Sequence, residues 1–365
     1  MNSFFSCKCQ YENLGDLIIN KMLVDELCRY GSVYIDTGGA PGNFSSFLLQ
    51  NPRAIDITSE RGEDKQRSIR GKLALLIFLW QHNVKIFTDS PGPTFDGRTM
   101  SRKTLFKIRM KSLLFGLVGT KIVAVGKCCS NLIHTHADFK SIWADSYYMR
   151  SRESVEFIAE HTSSRIVKFI PDLCFLLKYQ ISPLSKKNVA VFDLRMTDAN
   201  NILLEWCKKL VKDMISQSFE VIIYYQVEHD LEAVKLLYSY LSGLGVKLRE
   251  KMVWMDELSF YADKMFVVSN RLHSLLIGAA YGSFPICLYQ ESTKTLKLKH
   301  VLNSSFSPSL PIIYENGAIP EINYKNLYLT YRKQMVEEYG QNAKLCREII
   351  SHIEEYAHKR CKDKE

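Results

Sequence analysis

The stretch 266–289, FVVSNRLHSLLIGAAYGSFPICLY, decides how the rest of the chain is read. Residues 265–268 form a short apolar run of the kind that makes a buried parallel strand. The chain then turns polar at Ser269 and Asn270. Beyond the turn, Leu272, Leu275, Leu276, Ala279 and Ala280 recur at helical spacing, which predicts a helix from near Arg271 to Gly282. Residues 284–289 make a second strand. This strand-helix-strand unit sets Arg271 and His273 where a strand's carboxyl end meets a helix's amino end. Ligands of open parallel sheets bind at such ends, and a helix N-terminus favours anions.

Arg can grip a phosphate or carboxylate with two parallel hydrogen bonds, while His can move a proton near neutral pH. The same pair also suits a surface arginine beside a capping histidine. Working outward, the alternation repeats on both sides. Residues 189–192 are a strand ending in Asp193-Leu194-Arg195, followed by a helix over 199–216, a strand over 221–225 and a helix over 230–241. A strand over 246–248 and a short helix over 256–261 lead into the opening unit. In a parallel sheet the ends carrying Arg195 and Arg271 lie along one edge, so both guanidinia can converge on one anion.

The first half shows the same grammar. The string NLGDLIINKMLVDEL, from Asn13, reads as a turn and an amphipathic helix, with Asn13, Gly15 and Asp16 at its entrance. Asp16 fits an ordinary first-turn carboxylate that complements the helix dipole. Residues 33–36 are a strand, and Thr37-Gly38-Gly39 opens a glycine-rich turn where backbone can approach a ligand; no Gly-Lys-Ser/Thr follows, so it is not a Walker loop. Residues 72–81 read as a buried helix, 84–88 as a strand, and 98–111 as the most basic amphipathic stretch. That stretch suits either a solvated helix face or an anionic membrane surface. Strands at 121–125, before Gly126 and Lys127, at 146–149 and at 167–170 complete this half, with a helix over 153–161. Residues 179–188 break the alternation and read as a linker. The tail over 323–362 is helical, with Leu327, Tyr331, Met335, Tyr339, Leu345, Ile349, Ile353 and Tyr356 as candidate buried positions.

The fold class expected is therefore α/β: two doubly wound Rossmann-like domains facing a cleft, with a long C-terminal helical segment. The boundaries expected are 1–178, a linker at 179–188, 189–322, and a helical segment at 323–365. A chain of 365 residues, 46% hydrophobic, can bury two cores. Its 48 Lys and Arg against 39 Asp and Glu leave +9, a balance that favours anionic partners. The positive charge forms no basic arm and no zinc-finger or RNA-binding pattern, so nucleic acid is not an expected partner. Ten scattered cysteines without paired C-x-x-C spacing suggest reduced thiols and no metal. His134-Thr135-His136 lacks a carboxylate at ligand spacing. The start of the sequence does not read as a signal peptide, and the longest apolar run, eight residues at 73–80, falls short of the about 20 that span a bilayer. A cytoplasmic protein is expected, with peripheral contact with an anionic membrane face allowed by the basic surface.

The string VVSNRLHSLLIGAAYGSFPICLYQESTKTLKL resembles the polysaccharide pyruvyl transferases, which carry Ser-x-Arg-Leu-His before a small-residue helix, a Gly-x-x-Pro turn, and a downstream Tyr with a Lys. Here these are Ser269, Arg271, Leu272, His273, Gly282, Pro285, Tyr289 and Lys294. The likeness continues through the Asn13 to Asp16 turn, Thr37-Gly38-Gly39, Gly126, the segment from Arg152 through Ser154, Pro171-Asp172 and Arg195. It implies a fold like the GT-B glycosyltransferases and transfer of pyruvate from phosphoenolpyruvate to a sugar as a cyclic ketal, in polysaccharide biosynthesis and without a cofactor. On that resemblance the domain over 189–322 takes phosphoenolpyruvate, held by Arg195, Arg271, Leu272, His273 and Lys294. His273 would be the general acid that protonates C3, and Asp16 the base for the sugar hydroxyls. The domain over 1–178 would take the acceptor, a glycan or lipid-linked oligosaccharide, with Asn13, Gly15, Gly38, Gly39 and Lys127 as candidates.

Three features depart from the family pattern. The first-domain turn has two glycines where three are usual, the strand expected ahead of the Asn13 turn is nearly absent, and Lys127-Cys128-Cys129 follows Gly126. Two other readings stand beside pyruvyl transfer. One is a glycosyltransferase of the same fold using a nucleotide sugar, against which no acidic residue is conspicuous where a ribose would be gripped and no Asp-x-Asp occurs. The other is a member of the fold that only binds a glycan or a partner.

Overall fold

The structure is a computed structural model that describes residues 1–57, 69–96, 102–130, 144–162, 164, 166–177, 186–195, 201–291, 296–315 and 321–362. It divides into two compact units. The first comprises Met1–Tyr11, Ile19–Leu173 and Lys344–Glu365, and the second Glu12–Ile18 and Cys174–Ala343.

The first unit holds strands β1 (Asn2–Ser6), β2 (Val33–Asp36), β3 (Ala54–Asp56), β4 (Val84–Asp89), β5 (Gly92–Asp96), β6 (Lys121–Ser130), β7 (Ser146–Met149) and β8 (Ile166–Phe169). They form a parallel sheet in the order β3-β2-β1-β4-β6-β7-β8, with β5 beside the later part of β6. The strand that was nearly invisible ahead of Asn13 is β1, and it is central. Five residues suffice because β2 and β4 bond it on both edges and because Phe4 and Phe5 are buried, Phe4 stacking on Phe87 with ring centroids 5.2 Å apart. The helices are α1 (Leu14–Cys28, which begins in the second unit), α2 (Gly42–Leu48), α3 (Ile69–Gln81), α4 (Arg102–Leu117) and α5 (Arg152–His161). Helix α3, expected to be buried, buries only one face: Leu79 enters the core while Leu73, Ile77 and Trp80 are exposed.

The second unit contains β9 (Lys187–Asp193), β10 (Glu220–Ile223), β11 (Lys247–Leu248), β12 (Lys264–Ser269), β13 (Phe284–Tyr289) and β14 (Ile313–Glu315). Their order, β11-β10-β9-β12-β13-β14, is parallel throughout. Strand order reverses between β9 and β12, which makes that pair the topological switch point of a doubly wound sheet. The helices are α6 (Asn201–Ser216), α7 (Leu231–Leu241), α8 (Leu272–Ala280), α9 (Leu296–Ser305) and α10 (Tyr324–Lys362). From Ser274 to Ala280, α8 is wholly buried, as its unbroken run of small and aliphatic residues requires.

Two boundaries differ from those read in the sequence. Residues Glu12–Ile18 fold with the second unit because Asn13 bridges Val227, Leu14 N donates to Gln226 O at 3.2 Å and Glu228 N donates to Glu12 O at 3.4 Å. The tail is one 39-residue helix, α10, divided between the units at Lys344, so it is not a separate segment. Of its candidate core positions, Leu327, Met335, Tyr339, Ile349 and Ile353 are buried, whereas Tyr331, Leu345 and Tyr356 are partly exposed. No described helix is long and apolar enough to cross a membrane.

Candidate functional site at the β9/β12 switch point

At the switch point Ser269 pairs with Asp193 in register, so the residues that follow each strand emerge side by side. Asn270 locks the two ends together. Its Oδ1 accepts from Arg195 N at 2.7 Å and its Nδ2 donates to Arg195 O at 3.0 Å. Ser269 Oγ donates to Asp193 O at 2.5 Å and accepts from Arg271 N at 2.9 Å, which holds Arg271 extended as the N-cap residue of α8. An asparagine and a serine thus do the positioning for which the sequence offered only a polar turn.

Beneath α8 lies a buried polar network. Ser274, in the first turn, donates to Asp193 Oδ2 and accepts from Gln226 Nε2. Burial pushes the Asp193 carboxyl up to about 6, against the opposing pull of Arg271 and of the Ser274 hydrogen bond. Gln226 links this network to the chain's beginning, because its carbonyl receives Leu14 N. The segment so anchored brings Gly15 against His273: a Cβ on Gly15 would lie 2.5 Å from His273 Cγ. Glycine is therefore required there by contact, and its neighbour Asn13 Oδ1 accepts from Gly15 N at 3.0 Å.

The second arginine is committed differently from the sequence reading. Arg271 forms an ion pair with Asp230, which is 1% exposed at the start of α7. Its Nε is buried and has no partner, so one face of the guanidinium retains a donor. Asp230 had registered in the sequence only as a helix start, since an acidic residue there is common. Arg195 is exposed, and Leu272 and His273 are partly buried at the α8 terminus. The structure therefore brings Arg195, Arg271, Leu272 and His273 together on one strand edge, with Asn13, Gly15 and the first-turn residue Asp16 in the same unit. Asn13 and Gly15, expected with the domain over 1–178, are so placed because residues 12–14 bond through their backbone to residues 226–228 of the second unit. Lys294 lies outside the described residues, as do His134 and His136.

The remaining candidates stay in the first unit. Gly38 and Gly39 have φ of 61° and 83°, a left-handed turn that glycine adopts freely, beneath Tyr11, whose hydroxyl donates to Thr37 O at 3.2 Å. Lys127 is buried and spent on structure: its Nζ pairs with Asp89 and donates to Ser90 O at 2.9 Å. Asp172 is likewise internal, bonded at 2.7 Å to buried Arg150.

No protein-family model matches the chain, and no curated protein matches it in sequence. Solved structures do match along nearly its whole length. The UDP-GlcNAc 2-epimerase of Neisseria meningitidis, bound to UDP-GlcNAc, is 12% identical at a TM-score of 0.54, covering 96% of this chain and 99% of that one. A Staphylococcus aureus MnaA structure with UDP is 10% identical, TM-score 0.52, covering 97% and 96%. An O-GlcNAc transferase of Thermobaculum terrenum is 12% identical, TM-score 0.52, covering 98% of this chain and 67% of its own. The fold is GT-B. In GT-B terms, the Arg271 turn opens the helix after the fourth strand, in chain order, of the second Rossmann-like sheet, at that sheet's switch point.

Proposed function

We propose that this chain is an enzyme of glycan biosynthesis that holds the phosphate of its donor at the N-terminus of α8, and that the donor is a nucleotide sugar. The observation that carries the reading is the convergence of Arg195, Arg271, Leu272 and His273 on the β9/β12 edge, over a helix terminus whose first N–H groups have no partner within the helix. The GT-B likeness extends over nearly the whole chain to proteins solved with UDP or UDP-GlcNAc, which supports a sugar nucleotide in the same role. The exposed Arg195 supplies a cationic contact for a diphosphate.

A second reading keeps the same site with phosphoenolpyruvate as donor, and the Ser269-x-Arg271-Leu272-His273 sequence favours it. In that chemistry His273 delivers a proton to C3 of the enol, a sugar hydroxyl attacks C2, phosphate leaves, and a second hydroxyl closes the cyclic ketal.

Calorimetric titration of the full chain with UDP, UDP-GlcNAc and phosphoenolpyruvate separates the readings, with Arg195→Ala as the site variant because Arg195 is exposed. Saturable UDP binding weakened at least tenfold in the variant is the expected result. Phosphoenolpyruvate binding with no response to UDP assigns the pyruvyl donor instead, and silence toward all three sinks the donor site.

A further inference from the structure

Helix α4 carries an apolar stripe that is exposed among the described residues. Phe106, Met110, Leu113 and Leu117 are 65%, 38%, 50% and 83% exposed, and at 3.6 residues per turn these positions fall within an arc of about 60°. Helix α3 repeats the pattern with Leu73, Ile77 and Trp80, the last 69% exposed. Both helices pack into one core cluster, to which α3 gives Leu79 and α4 gives Phe115. They therefore lie on the same face of the first unit's sheet, and their stripes belong to the outer surface of one layer. Scattered exposed leucines are ordinary; seven large apolar side chains in two helical stripes are not.

Charge selects the occupant. The α4 sequence RKTLFKIRMKSLLFGL holds five basic residues and no carboxylate, and α3, IRGKLALLIFLWQ, holds two and none. Lys107 is exposed next to Phe106 in the chain. A second copy of the chain meeting this surface about a two-fold axis would set basic helix against basic helix, which disfavours self-association. An anionic bilayer offers the complement to both properties, with acyl chains for the stripe and headgroup charge for the exposed Lys107, whose stem can lie along the boundary.

We infer that the α3–α4 face of the first unit docks on an anionic lipid surface, as a peripheral contact. The inference does not depend on which donor the second unit takes. It concerns a different surface and predicts no change in donor binding by soluble protein.

The test is flotation of the full chain with vesicles of equal parts phosphatidylglycerol and phosphatidylcholine, beside vesicles of phosphatidylcholine alone. Expected is co-flotation with the anionic vesicles only. The double variant Phe106→Ser, Leu117→Ser should lose about tenfold or more in partitioning, and Lys107→Gln about fivefold, with helix content unchanged by circular dichroism. Trp80 fluorescence, taken as the difference between the native chain and Trp80→Phe, should shift to the blue on anionic vesicles. Absence of flotation with anionic vesicles, equal flotation with neutral ones, or undiminished flotation of the folded variants would overturn the inference. So would a dimer in sedimentation that the double variant disperses, which would make the stripe a self-association surface. Should the double variant fail to fold, Lys107→Gln and the Trp80 difference decide alone.

Discussion

Gly15 and His273 stand in direct apposition, so that a single added methyl at residue 15 would overlap the imidazole. They are 258 positions apart in sequence and meet where the backbone of Glu12, Asn13 and Leu14 bonds to Gln226, Val227 and Glu228. A segment near the beginning of the chain thereby sets the position of His273. Substitution of glycine by alanine inside a helix ordinarily stabilises by about 1 kcal/mol. Gly15→Ala should reverse that sign, costing about 1–3 kcal/mol through the forced displacement of His273. Urea unfolding with donor titration checks it; a stabilised variant with native donor affinity would refute the contact.

Asp230 keeps Arg271 from being an unpaired cation in a half-buried turn. Removing the carboxylate breaks that ion pair and leaves Asp193 as the other carboxyl that Arg271 faces, and Asp230→Asn should destabilise the protein by about 3 kcal/mol. The double variant Asp230→Asn, Arg271→Met should recover part of that loss. Denaturant midpoints of the three proteins give the coupling, and simple additivity would show that the two residues do not act as a pair.

Asn270 fastens the ends of β9 and β12 by two hydrogen bonds to the Arg195 backbone. Asn270→Ala should cost about 1 kcal/mol of stability, a modest figure because the turn is open to water. Its effect on the donor should be larger than its effect on folding, because Arg195 loses its fixed backbone. Titration calorimetry at a temperature where the variant remains folded measures this, and unchanged affinity would assign Asn270 to stability alone.

The Asp193 carboxyl is raised by burial from 3.8 to about 6. An acid whose folded value lies above its unfolded one is stabilised in its protonated form by folding. Its ionisation therefore costs stability as pH rises through about 6, and the cost is absent below about 4. The displacement corresponds to about 3 kcal/mol at 1.36 kcal/mol per pH unit. Glu354, raised by burial to about 7, acts in the same direction. Asp193→Asn should flatten the dependence of stability on pH between about 4 and 7, leaving the Glu354 part. Thermal or urea midpoints across that range test it, and parallel profiles for the two proteins would show that Asp193 is not the group responsible.

Much of the architecture was legible in residue order because a buried parallel strand and its crossover helix leave periodic marks. The unit over 265–289 appears in the structure as β12, α8 and β13 with almost the same bounds. Strand β1 was missed because five residues with two serines look weak until neighbours bond both their edges. Arg271 and His273 were singled out as a guanidinium and an imidazole at a helix start. Asp230, Gln226 and Ser274 were not, because a polar residue's burial is a property of its surroundings and leaves no periodic mark.

The sequence by itself determined the alternation of strands and helices, the basic balance and the chemistry clustered around Ser269, since each depends on local composition and spacing. Tertiary structure decided the strand order that makes β9 and β12 neighbours, the pairing of Arg271 with Asp230, the return of Gly15 to His273 and the exposure of the α3 and α4 stripes. These are contacts, or absences of cover, between residues far apart in the chain. Hydrophobic burial settles them only when all the elements pack together.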